Sequence, residues 1–179
     1  MPALEYAVNR IFRLLRKLPV NILTTGAPKG FFTDYFKDFE KLDAVKGIFG
    51  KKTKEVLSNL KVELMWYGGY MFVDGFDGHL VINRHYLNNG DRIDVYLDLI
   101  HELFHVKQFL DGRELFDPNY DYVERPTEIE AYRYTVQEAR RLGLSDEKIF
   151  WYLKTEWMSD NDVRRLAQAV GVQFPKASR

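Results

Sequence analysis

The sequence predicts an α+β domain, with a small and mostly antiparallel sheet packed on helices. Two observations predict it. Residues 61–83 hold three short runs of strand formers, KVELMWY, YMFVD and HLVIN, separated by glycine-rich turns. Residues 92–142 hold two stretches with helical periodicity and recognisable starts and stops. The chain has 179 residues, 46% hydrophobic and 29% charged, which is enough for a core that needs no disulfide staples.

The N-terminal part, residues 1–60, reads as helical. Leu4, Val8, Ile11, Leu15 and Leu18 recur at steps of four and three, a single helical stripe, and Pro19 ends it. Residues 20–30 read as a loop after a short extended piece. Phe31, Phe32, Tyr35, Phe36, Phe39 and Leu42 return to helical spacing, and residues 51–60 suit a short helix. In the middle part, residues 61–142, Gly68-Gly69 suits a tight hairpin between the first two strands. Asp74-Gly75-Phe76-Asp77-Gly78 turns into the third, so the strands form an antiparallel meander. Asp91 opens a helix over 92–110 that is apolar nearly all round and therefore buried, and Asp111-Gly112 stops it. A loop precedes a second helix over 127–142, where Thr127 and Glu130 stand at capping-box spacing and Gly143 follows the end. The C-terminal part, residues 143–179, holds a helix from Ser145 to about Trp157 and another over 161–170. Trp66, Trp151 and Trp157 are expected in the core. No repeat or long linker divides the chain, so residues 1–179 read as one domain.

Composition excludes several chemistries. With no cysteine, a thiol enzyme, an iron–sulfur protein and a cysteine-ligated zinc finger are impossible. Lys+Arg and Asp+Glu both number 26, and the absent basic excess argues against a nucleic-acid partner. No apolar run reaches the length of a membrane span. Glu5 and the interspersed arginines do not make a signal peptide, so a cytoplasmic location is expected. The balance is uneven along the chain. Residues 1–60 carry 11 basic and 6 acidic residues, residues 61–179 carry 15 and 20. A basic N-terminal helix against an acidic remainder suggests a terminal segment that blocks a cleft, and residues 174–179 are a second candidate for that role.

The chemistry lies in His101-Glu102-Leu103-Phe104-His105, an H-E-x-x-H pattern within the buried helix. Histidines four apart share a helix face, about 6 Å apart in rise, and can converge on one zinc ion. Glu102, turned by about 100°, stands beside the ion rather than on it, where it can take a proton from water. Asp98, His101, Glu102 and His105 form the polar stripe of the helix. A catalytic zinc takes a third protein ligand, and the segment from Glu124 to Tyr132 is the best source. Within it Glu124, Glu128 and Glu130 are candidates. Glu128 would project from the first turn of a rigid helix.

HELFH followed by Glu128-Ile129-Glu130-Ala131 resembles the gluzincin metallopeptidases, in which a glutamate on a second helix completes the H-E-x-x-H site. Over about residues 61–142 the chain is similar to their small single-domain members, the minigluzincins. The resemblance implies a zincin-like fold, one catalytic Zn²⁺ held by His101, His105 and Glu128, Glu102 as general base, and a peptide or protein substrate. It leaves Glu130 structural. Asp111 has the spacing of a third ligand in related motifs that require a glycine where this chain has Gln108. Where several family members carry an aspartate to support a ligand histidine, this chain has Tyr132, so support must come from Tyr132, from Asp98 or from a backbone carbonyl. The family also places an edge strand along the cleft, for which HLVIN or its neighbour is the candidate. His85 is a candidate oxyanion donor, and Tyr120, Tyr122, Tyr132 and Tyr134 crowd the ligand region. The alternative to a zinc endopeptidase is a metal-binding interaction or sensor protein of the same fold.

Overall fold

The structure, a computed structural model, describes residues 28–66 and 68–174. The stripe from Leu4 to Leu18 and residues 175–179, including both proposed terminal plugs apart from Phe174, lie outside the described residues. The architecture is α+β, with a mixed four-stranded sheet and helices packed around it.

Strand β1 (Lys29–Phe31) begins the fold where the sequence suggested only a loop. The aromatic stretch that follows is not one helix. It divides into a single turn α1 (Phe32–Tyr35), a 3-10 turn over Phe39–Lys41 and α2 (Asp43–Phe49). Asp38, with φ of 64°, breaks the helical path. Phe32, Phe36 and Phe39 are fully buried against one another, with ring centroids 4.6–5.6 Å apart. Helix α3 (Thr53–Asn59) then leads into β2 (Lys61–Met65), β3 (Met71–Val73) and β4 (Leu80–Asn83).

The sheet order is β1-β2-β4-β3, which corrects the expected meander. Strand β4 lies parallel to β2, with Val62 opposite Leu80, and antiparallel to β3, with Phe72 opposite Val81. Gly68-Gly69 therefore joins strands that are not neighbours, and the hairpin is the Asp74–Gly78 turn. Burial explains the order. Leu80, Val81 and Ile82 are all buried, which suits a strand covered on both faces. HLVIN is thus central, and its neighbour β3 is the edge. Beyond the sheet, Asn83 caps a short helix α4 (Arg84–Asn89) that sequence reasoning missed.

Asp91 caps α5 (Arg92–Leu110), accepting from the amides of Ile93 and Asp94 at 2.8 and 3.3 Å. As its all-round apolar character predicts, Tyr96, Leu97, Leu99, Ile100 and Leu103 are fully buried. Helix α6 (Pro126–Arg141) packs on it. Pro126 opens α6, and the expected capping box does not form, because Thr127 lies inside the helix and donates to the Leu115 carbonyl at 3.2 Å. Tyr96 Oη donates to Glu138 at 2.6 Å, and Arg141 closes on the same carboxylate at 2.6 Å, so a buried acid pins α5 to α6. Ser145 caps α7 (Asp146–Leu153), which ends four residues before the expected Trp157. Ser159 and Asp162 form the capping box of α8 (Asp160–Ala169). The three tryptophans are not core residues. Trp66, Trp151 and Trp157 are 72%, 55% and 59% exposed.

Gly78 fixes the edge strand to α5. It has φ of +75°, and a Cβ there would collide with the Phe109 ring. Gly78→Ala is expected to destabilise the domain by about 2–4 kcal/mol through left-handed strain and overpacking, read from the denaturant midpoint.

Candidate metal centre

His101 and His105 sit one turn apart on the buried face of α5, and Glu128 stands in the first turn of α6. All three are buried. Their inward atoms converge. His101 Nε2 lies 2.9 Å from His105 Nε2, and Glu128 Oε2 lies 3.3 and 3.4 Å from them. Ligands on a tetrahedral zinc with bonds near 2.05 Å stand roughly 3.3 Å apart, so the three atoms already have the spacing such an ion needs. Glu128 Oε2 is buried without a hydrogen-bond donor. A buried carboxylate oxygen facing two imidazole nitrogens is a fit for a divalent cation.

Hydrogen bonds fix one ligand's tautomer. His105 Nδ1 lies 2.7 Å from Gln108 Oε1. The Gln108 amide nitrogen donates at 3.0 Å to both the Thr127 carbonyl and Glu130. Arg113 holds Glu130 from the far side at 3.2 Å. With its donors so engaged, Gln108 presents Oε1 as acceptor. In the neutral ring the proton of His105 then sits on Nδ1, and the Nε2 lone pair faces the centre. The support expected from Tyr132, Asp98 or a carbonyl therefore comes from Gln108 for His105. Asp98 instead accepts from Tyr86 and Tyr152 at 2.5 and 2.8 Å. Tyr132 packs its ring 4.2 Å from that of His101, and its hydroxyl meets that of Tyr122 at 2.9 Å. Among the described residues His101 Nδ1 has no hydrogen-bond partner.

Glu102 is buried beside the cluster, on the wall of a cavity of about 500 Å³ that also contains all three ligand side chains. Burial pushes its carboxyl up to about 8, opposed by His105 and by a hydrogen bond from the Val73 amide. Burial alone would raise Glu128 too, but the two imidazoles facing it at 3.3 and 3.4 Å hold it well below the usual range. Burial lowers His101. For His105 burial is outweighed by Glu128 and Glu102, which lift it to about 9. Two carboxylates and two imidazoles thus have strongly displaced affinities for protons, as functional sites commonly do.

The other candidates lie elsewhere. Asp111 pairs with Lys107 at the exposed end of α5. Glu124 binds Arg165 at 2.6 Å on the surface. Glu130 supports Gln108 rather than the metal position. His79 pairs with Asp77, and exposed His85 bonds Asn89 rather than facing the cavity. Tyr122 and Tyr132 line the cavity, whereas Tyr134 donates to the Ala44 carbonyl at 2.5 Å. Asp74, Asp77 and His79 form a second cluster of possible ligands, but it is at most half-buried, and its turn uses Asp74 and Asp77 as acceptors. Sequence reasoning missed Gln108, Arg125 and Asp94. The signal for Gln108 was its place three residues after His105, on the same helix face.

Gln108→Ala should retain the fold and weaken zinc affinity by roughly 10–100-fold, read by competition with a chromophoric chelator. Glu128→Ala should lose tight binding altogether.

Asp94 and Asp98 allow a separate check by pH. Burial raises both from 3.8 to about 6. A carboxyl raised in the folded state favours folding below its unfolded pKa. That contribution is lost as pH rises from about 4 to about 6. Asp98→Asn removes one such group, so its stability relative to the parent chain should rise across that window in denaturation curves.

No family model matches the chain, and comparisons with curated proteins and with solved structures likewise find no match.

Proposed function

We propose that the protein is a zinc-dependent peptidase of the gluzincin type with a zincin-like fold. The carrying observation is the 2.9–3.4 Å convergence of His101, His105 and Glu128 beside the buried carboxyl of Glu102. Zinc, when bound, supplies a Lewis acid that polarises the scissile carbonyl and makes water acidic. The chain does the rest. Glu102 takes the proton of the attacking water and passes it to the leaving amine, a role suited to a carboxyl whose proton affinity lies near neutrality. The Val73 amide orients that carboxylate.

Edge strand β3 supports a peptide substrate. The bonds Asn83 N to Tyr70 O and Asp74 N to His79 O, both 2.9 Å, make 70·83 and 74·79 hydrogen-bonded pairs. By alternation 72·81 is another, so Met71 and Val73 turn their backbone groups away from β4. Both border the cavity. With Val73 buried and its amide on Glu102, the N–H and C=O of Met71 remain for an added strand.

Glu102→Gln is expected to keep one equivalent of zinc and lose roughly 10²–10⁴-fold in kcat/KM on a peptide library. Dialysis against a chelator should abolish cleavage by the parent chain, and zinc should restore it. Normal cleavage by Glu102→Gln would overturn the mechanism. A zinc-loaded parent chain that binds peptides and cuts none would make the cleft a non-catalytic binding site.

A further inference from the structure

The cavity extends beyond the metal ligands along α5 toward its N-terminus. Asp98 lies three residues before His101 and Asp94 seven before, about 4.5 and 10.5 Å along the helix rise. Both line the cavity, and the walls of this arm are aromatic. Tyr70 packs 4.6 Å from Tyr86 and 5.9 Å from Trp157, centroid to centroid, and Tyr152 closes the side. Tyr86 and Tyr152 each donate to one oxygen of Asp98, which leaves each oxygen a further acceptor position. Among the described residues no cation pairs with either carboxylate. Lys154, on the cavity wall, is engaged by Asp160 at 2.8 Å and lies over the Trp151 ring. Arg125 lies against Phe116 and Tyr122, beside Glu128 at 3.8 Å. Glu156 adds further negative charge near Tyr70.

We infer that this arm is a subsite for a lysine or arginine side chain of the substrate, with Asp98 and Asp94 as its anionic end and Tyr70, Tyr86 and Trp157 as its walls. A long basic side chain matches both parts. Its aliphatic stem lies along apolar walls while its cationic head meets aromatic faces and carboxylates. Burial raises both aspartates, and no positive group offsets it, so a bound cation would relieve a standing electrostatic cost. The chain runs from Tyr70 at this arm through β3 to Val73 at Glu102. A peptide that adds antiparallel to β3 sends its C-terminal side into the arm and places the basic residue just after the scissile bond.

This inference rests on the peptidase reading, and the test separates the two. Three peptides differing only in lysine, norleucine or glutamate at one position are titrated into the zinc-loaded Glu102→Gln chain, where binding does not need turnover. Lysine should bind at least roughly tenfold tighter than norleucine, and glutamate weakest. Asp94→Asn, on the cavity rim where it bonds no neighbouring side chain, should reduce the lysine advantage severalfold, and Asp94→Lys should reverse it toward glutamate. Asp98→Asn should remove the advantage. In parallel, the parent chain cleaving a peptide library should enrich lysine and arginine at the first position after the cut. Equal binding of lysine and norleucine, or an advantage unchanged by both aspartate variants, overturns the subsite. Lysine-selective binding without cleavage by the parent chain upholds the subsite and removes the peptidase reading.

Discussion

Everything in this fold is arranged around a polar stripe on a helix that is otherwise core. Helix α5 is covered on nearly all sides, and along one of them it carries Asp98, His101, Glu102 and His105. Isolated charges in such surroundings would cost several kcal/mol each. The chain meets that cost mostly with partners from outside the helix. Glu128 arrives from α6, the Val73 amide comes from the sheet, and Tyr86 and Tyr152 come from two further helices, while Gln108, on α5 itself, is anchored by Thr127 and Glu130 of α6. The interaction that most depends on accuracy is the approach of Glu128 to the two imidazoles, because its Oε2 has no hydrogen-bond donor. The packing of α6 on α5 and the Tyr96–Glu138–Arg141 tie hold that carboxylate in a position where a cation is its natural partner.

The same dependence explains what the sequence made legible. The helix over 92–110 and its start at Asp91 followed from local pattern, and so did Ser145 as the cap of α7. A motif of residues four apart on one helix needs only helical geometry, so His101, Glu102 and His105 were readable without a tertiary structure. Glu128 was readable only through a resemblance, since its partners lie more than twenty residues away. Strand pairing was not readable. The three strand segments were found, but order depends on which strand is covered on both faces. The pattern that marks β4 as central is a continuous apolar run rather than an alternation, and such a run fits several places. β1 and α4 are too short to leave a periodic signal.

Trp151 and Trp157 were misread for a related reason. A large aromatic residue is equally consistent with a core and with the wall of a cleft, and only the tertiary path decides between them. Helix α7 stops at Leu153, and the turn that follows carries Lys154, Thr155 and Trp157 to the cavity instead of continuing inward. Trp151, on the exposed face of α7, joins them. The exposure of these side chains is therefore a consequence of where the cavity needs a wall. With α7 and α8 packed against α6 and the Tyr122–Glu124 turn, and Tyr152 bonded to Asp98 of α5, the C-terminal residues 151–157 supply a side of the cleft that β3 and α5 alone leave open.

That wall also gives the cleft its two different ends. Toward the N-terminus of α5 stand Asp94, Asp98 and three aromatic rings. Toward the start of α6 stands Arg125, between Phe116 and Tyr122. Arg125 precedes Pro126 and lies within 4 Å of Glu128, so it neutralises charge at the outer carboxylate oxygen while Oε2 faces the histidines. A cation at that place does not compete for the metal position, because it approaches the other oxygen. The acidic end lies on the opposite side of His101, along the helix. Opposite charges at opposite ends of one cavity give an extended ligand a preferred direction, and the single free edge of β3 gives it a track. On the proposed reading, orientation and side-chain choice come from the same few elements that bring His101, His105 and Glu128 together, and a change in the packing of α6 on α5 would disturb all three together.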